Sequence, residues 1–222
     1  MRNSLRLLLI LIIFSYFSID YGRNNVMLEP DNHQLWIDCK LGGDLSFDIF
    51  NFGMKGYRKM NSLKKKNLLT IIDFSKPSNE KRFFVIDIES KKLLFKCLVA
   101  HGKNTGENFA KSFSNKAQSL KSSLGFYITA ETYIGKHAYS LKLDGLEKNI
   151  NDNARNREIV IHGADYVSPE FIKAHGRLGR SWGCPALPLG VSKEIIDKIS
   201  NGSCLFIYGI DDFYKANSHF IN

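Results

Sequence analysis

Two residues in this 222-residue chain have the types and spacing for covalent chemistry, His162 and Cys184. A cysteine sulfur attacks a carbonyl carbon as its thiolate, and a neighbouring histidine supplies thiolate character by taking the proton. His162 ends an apolar run, Ile159-Val160-Ile161, and precedes Gly163. Cys184 stands 22 positions later, in Gly179-Arg180-Ser181-Trp182-Gly183-Cys184-Pro185. A loop of that length can return a strand end beside its own start. The backbone N–H groups of Gly183 and Cys184 could receive the oxyanion, because glycine permits a turn that aims both at one spot. Set between a glycine and a proline in a polar loop, Cys184 reads as an exposed, usable thiol. On spacing alone the alternative stays open: a loop cysteine and a core histidine with no chemistry.

The elements that must position this pair follow from periodicity. Residues 20–43 read as a linker. Asp44 or Ser46 can cap a helix bearing Phe47, Phe50, Met54 and Tyr57 as a core stripe, which ends at Lys64-Lys65-Lys66. Strands are expected at 68–74, 82–88 and 92–99, the last two forming a hairpin through Glu89-Ser90-Lys91. Further strands are expected at 126–129, 140–143, 158–161 and 204–208, with residues 144–157 a surface loop. Ser192 can cap a short helix carrying Ile195, Ile196 and Ile199, stopped by Asn201-Gly202. The result is a mainly β fold with a few helices (α+β), followed by a poorly ordered tail at 211–222.

Bulk properties bound the partners. The formal charge is +9 and the pI about 9.3, which suits an anionic partner or solubility alone. No basic run is interleaved with aromatics in the way nucleic-acid modules require, so no nucleic-acid partner is expected. Arg2 and Arg6 lead into the apolar run Leu7 to Phe17. This is the pattern of a secretory signal, and it is short for a membrane span of about 20 residues. Residues 1–19 therefore read as a signal peptide or an uncleaved N-terminal anchor, the only expected tie to a membrane. The expected place is the periplasm or cell envelope. Of the four cysteines, Cys97 and Cys204 lie in apolar strands and read as inert, and Cys39 with Cys97 is the one pair that could bridge.

His162-Gly163 followed by Ser181-Trp182-Gly183-Cys184 resembles the signature of the L,D-transpeptidases, cysteine enzymes that cross-link peptidoglycan. The chain is most similar to the murein L,D-transpeptidase catalytic-domain (YkuD-like) family. The matching stretches are Phe50 to Tyr57, Asp73 to Ser78, Val99 to Gly102, Ser122 to Gly125, Ile159 to Ser168 and Arg177 to Leu187. The resemblance implies a β-sandwich-like catalytic fold over residues 67–210; a monomer and no cofactor are expected. It implies that Cys184 attacks the carbonyl of the L-centre residue of a tetrapeptide stem and releases D-alanine. His162 would be base and then acid, with the Gly163 carbonyl orienting its ring and fixing the tautomer. Trp182 stands where the wider family has a second histidine, and Lys136-His137-Ala138 departs from an expected His-Gly.

Other residues are candidates for substrate contact. Arg177 and Arg180 carry guanidinium groups that suit carboxylates, or brace the loop. Ser181 can bond in the site or cap the turn, and Trp182 can wall the pocket. His101, at the end of a strand before Gly102, can line the same cleft or serve structure. His137 and His175 read as surface residues. Three alternatives stand beside the transpeptidase: an L,D-carboxypeptidase with water as acceptor, an inactive wall-binding module, and a zinc hydrolase using His101, His162 and Cys184. No close-spaced ligand pair supports the zinc site, and no metal is expected.

Overall fold

The computed structural model describes residues 31–222, which form one compact unit. The leader at 1–19 and the linker up to residue 30 lie outside the described residues. Among the described residues no helix is long and apolar enough to cross a membrane.

The centre is a single mixed sheet of eight strands. In chain order they are β1 (Leu68–Asp73), β2 (Phe83–Asp87), β3 (Lys92–Cys97), β4 (Gly125–Gly135), β5 (Ala138–Gly145), β6 (Val160–Ala164), β7 (Ala186–Pro188) and β8 (Cys204–Tyr208). Their spatial order is β3-β2-β1-β8-β4-β5-β6-β7. Every residue of β1 is buried, Thr70 and Asp73 included, which is why it reads as a mostly apolar run and not an alternating one. It pairs in parallel with β8 and antiparallel with β2. The two ends of the sheet also meet. Just beyond β3, Ala100 exchanges both backbone bonds with Ala186 of β7, at 2.9 and 3.3 Å. The sheet thus closes on itself, and the closure lies beside Cys184.

Helix α2 (Phe47–Lys59) is capped by Ser46, whose Oγ accepts the Ile49 N–H. It buries Ile49, Phe50 and Met54 against β1 and β8. A Cβ at Gly56 would fall 2.1 Å from the Phe126 ring, so glycine lets the helix approach the stacked rings of Phe126 and Phe206. Helix α3 (Pro169–His175) follows β6, with Ser168 as its cap. Helix α4 (Leu189–Ile199) begins three residues before the expected cap Ser192, whose Oγ instead donates back to the Leu189 carbonyl.

Several expectations are corrected. Residues 31–43 are not linker: helix α1 (Asn32–Asp38) is capped by Asp31, and Leu35, Cys39 and Leu41 are buried. The tail is not loose. Helix α5 (Asp212–Asn217) buries Tyr214, and Phe220 and Ile221 join the core. Buried Glu147 receives the Ser218 hydroxyl, and Lys59 donates to the carbonyls of His219 and Asn222 at 2.7 and 2.6 Å. Within 144–157, Asn151 is fully buried and donates to the carbonyls of Leu124 and Phe126. All four cysteines are free, so Cys39 and Cys97 are not bridged. Burial pushes their thiols up to about 11 and about 12.

Candidate active site

β6 carries His162, and β7 runs parallel beside it with Ala186 in register with His162. On the other side Ser140 of β5 faces His162. The His162 backbone is therefore paired on both sides. Its Nδ1 lies 3.0 Å from the Gly163 carbonyl. A carbonyl only accepts, so Nδ1 bears the hydrogen and Nε2 keeps the lone pair. Burial lowers the pKa of His162, the Gly163 carbonyl raises it, and the nearby His137 lowers it. The His137 ring stacks on it at 4.3 Å and 22°. His137 was expected to be an idle surface residue. It is exposed, but it sits at the two-residue tip Lys136-His137 between β4 and β5 and covers His162.

Cys184 is only 8% exposed, so the expected exposed thiol is corrected. Its Sγ accepts the Val160 N–H at 3.4 Å and donates to the Glu158 carbonyl at 3.6 Å. Burial raises its pKa, while the Val160 N–H and the Arg157 charge act in the opposite direction. The resting thiol is neutral and is not hydrogen-bonded to His162. Active-site bonds of this kind commonly tighten only once substrate is bound. Cys184 opens into a cavity of about 550 Å³, within the range of small-ligand sites. Tyr133, His137, Arg157, Glu158 and Trp182 line it with Cys184.

The Ser181–Cys184 turn is held by short polar residues. Ser181 Oγ accepts the Gly183 N–H at 3.1 Å and donates to the Cys184 carbonyl at 2.6 Å. Ser122 Oγ donates to the Gly183 carbonyl and accepts the Gly102 N–H, both at 3.0 Å. Gly183 has φ 130°, and a Cβ there would meet the Lys121 carbonyl at 2.8 Å. Glycine is therefore required for both conformation and space. The expected pair of oxyanion donors is corrected: the Gly183 N–H is spent on Ser181, and the Cys184 N–H remains. Ser181 caps the turn. Trp182 is 78% exposed and walls the cavity.

The remaining candidates lie elsewhere. Arg180 donates to Glu107 at 2.6 Å, and Arg177 pairs with the same carboxylate at 3.0 Å and with the Leu178 carbonyl at 2.8 Å. Both brace the loop, and neither lines the cavity. His101 is also corrected: it is buried, with Nδ1 accepting from Arg82 at 2.8 Å and Nε2 3.2 Å from the Gly106 carbonyl. Among the described residues, no group of three or more His, Cys, Asp or Glu could hold a metal ion, and His101, His162 and Cys184 do not form one. His175 is exposed on α3. Arg157 lines the cavity too, although its setting in a polar loop carries no local sign of a role there.

Comparison with known proteins bears on this site. No curated protein matches the chain significantly. Similar solved structures include an L,D-transpeptidase from Mycobacterium smegmatis, 12% identical with a TM-score of 0.41, covering 64% of this chain and 59% of that one. Another, from Xylanimonas cellulosilytica, is 13% identical with a TM-score of 0.37, covering 64% and 60%. A third, from Stackebrandtia nassauensis, is 15% identical with a TM-score of 0.39, covering 79% and 75%. The chain thus spans under two thirds of the first two. In sequence, residues 42–208 match the family described as the L,D-transpeptidase catalytic domain, and that stretch contains both His162 and Cys184. This chain belongs to the L,D-transpeptidase catalytic-domain family.

Proposed function

We propose that the chain is an exported cysteine acyltransferase acting on peptidoglycan tetrapeptide stems, an L,D-transpeptidase, brought to the periplasm or cell envelope by its leader. The observation that carries this reading is the tautomer of His162, locked by the Gly163 carbonyl so that Nε2 is the basic atom, on the strand whose Val160 N–H holds the Cys184 sulfur.

In the proposed reaction Nε2 takes the Sγ proton as the thiolate attacks the carbonyl of the L-centre residue. The oxyanion meets the Cys184 N–H, which forms no other bond among the described residues. Collapse breaks the C–N bond, and D-alanine leaves with the proton from the imidazolium. An amine of a second stem then attacks the thioester and gives its proton to Nε2; a new amide C–N bond forms, the C–S bond breaks, and the departing sulfur takes the proton back from the imidazolium as the free thiol. The two neutral resting groups suit this scheme, because the proton moves only when a substrate carbonyl is there to accept charge.

The test is incubation of the purified protein with disaccharide-tetrapeptide and mass analysis of the products. Loss of D-alanine with dimers is expected, as is a covalent adduct with a carbapenem at Cys184. Loss without dimers would make water the acceptor. Activity that survives Cys184→Ala would refute the nucleophile.

A further inference from the structure

The cavity beside Cys184 is ringed by cations whose circumstances differ. Lys142 and Arg155 are neutralised, Lys142 by Glu131 and Arg155 by Glu131 and Asp144. Lys136 is exposed at the hairpin tip, where water screens it. Arg157 is half-buried and has no carboxylate partner among the described residues. Its Nη1 donates to the Ser114 carbonyl at 2.6 Å and to Ser123 Oγ at 3.4 Å. Its Nη2 donates to the Lys121 carbonyl at 2.6 Å and to Ser119 Oγ at 3.3 Å. Neutral partners fix a guanidinium in place without cancelling its charge, and partial burial lowers the screening around it.

That fixed charge lies against the nucleophile's turn. A Cβ on Gly183 would sit 3.4 Å from Arg157 Nη2 and 2.8 Å from the Lys121 carbonyl that Nη2 holds. Arg157 also lines the cavity with Cys184. The other titratable groups around Cys184 are Glu158, Tyr166 and, along β6, His162 with His137 stacked on it. None of these is a permanent cation.

We propose that Arg157 is a positioning residue with a fixed charge: it favours the thiolate of Cys184 and holds the 114–123 wall against which the Gly183 turn is set. The proposal rests on Cys184 being the nucleophile. It concerns the sulfur before any substrate arrives, so it is testable without peptidoglycan.

The experiment is the rate of iodoacetamide alkylation at Cys184 from about pH 6 to about pH 11.5, with the modified cysteine identified by mass. In Arg157→Gln the midpoint of the rate profile is expected to rise by about one pH unit, which slows alkylation near neutral pH about tenfold. Arg157→Lys keeps the charge and is expected to keep most of the wild-type midpoint. Ser119→Ala removes one brace bond and is expected to leave the midpoint in place. A folded Arg157→Gln with the wild-type midpoint would overturn the proposal. If that variant does not fold, the wild type decides. A midpoint that rises with KCl up to about 1 M supports the fixed charge, since salt screens a thiolate–cation attraction, and a midpoint indifferent to salt overturns it. A protein inert on tetrapeptide but shifted in alkylation would separate failure of the transpeptidase reading from failure of this one.

Discussion

The chain presents a histidine before a glycine twice, His101-Gly102 and His162-Gly163, and both are buried beside the place where the sheet closes. The two rings are put to opposite use. His101 spends both nitrogens, one on Arg82 and one on the Gly106 carbonyl. His162 spends one, on Gly163, and its other nitrogen forms no hydrogen bond among the described residues. The chemistry available to a buried histidine is set by how many ring nitrogens its neighbours leave over. The His-Gly pair does not carry that number, because Arg82, which takes the second nitrogen of His101, comes from 19 residues away, just before β2.

Removing the ring at each position is the strongest way to test this contrast. His162→Ala should lower kcat/KM on tetrapeptide by about 10²–10⁴, the usual worth of a general acid–base, with little change in thermal stability. His101→Ala should do the reverse. It strands a buried Arg82 donor at a cost of about 1–3 kcal/mol, seen as a Tm lower by about 3–10 °C, with kcat per folded molecule near wild type. Equal loss of activity in both variants would erase the distinction.

A smaller effect separates them by pH. Burial first, and the Arg82 charge second, hold His101 down to about 4. The unfolded chain takes up this proton near 6.5 and the folded chain only near 4, so the unfolded state binds more protons between those values. Stability is therefore full above about pH 6.5 and declines toward pH 4. His101→Gln should flatten that slope in urea denaturation midpoints measured across the window. His162 is lowered in the same direction, mainly by burial, so the acid limb of kcat/KM should fall below the ordinary histidine range. The smallest effect is expected at the rim: Trp182→Ala should change stability by no more than about 0.5 kcal/mol while raising KM, as a mostly exposed wall residue would.

The elements near the site were legible where the pattern was local. The run into His162, the Ser181–Cys184 turn, the Ser46 cap and the apolar β1 and β8 all follow from neighbours in sequence. What escaped depends on distant partners. Cys184 looked exposed because its loop is polar, yet strand β6 roofs the sulfur. Gly183 looked like an oxyanion donor until Ser181 was seen to take its N–H. Arg177 and Arg180 looked available for carboxylates, and Glu107, some seventy residues earlier, occupies both. The tail looked loose because the buried Glu147 that receives Ser218 is equally remote.

The position of β8 sets an order of events in synthesis and folding. It lies between β1 and β4, so before residues 204–208 are made the sheet exists only as two halves with open edges. β1 can form its hairpin with β2, and β4 with β5, but without β8 the two halves can meet only where Ala100 pairs with Ala186, not between β1 and β4. Such non-local pairing folds slowly and exposes unpaired strands meanwhile. The Cys184 turn, stapled across the closure by Ala100 and Ala186, depends on the two halves being brought together. A nascent chain stopped short of Cys204 would therefore hold every residue of the candidate site and lack the strand that fills the sheet between β1 and β4.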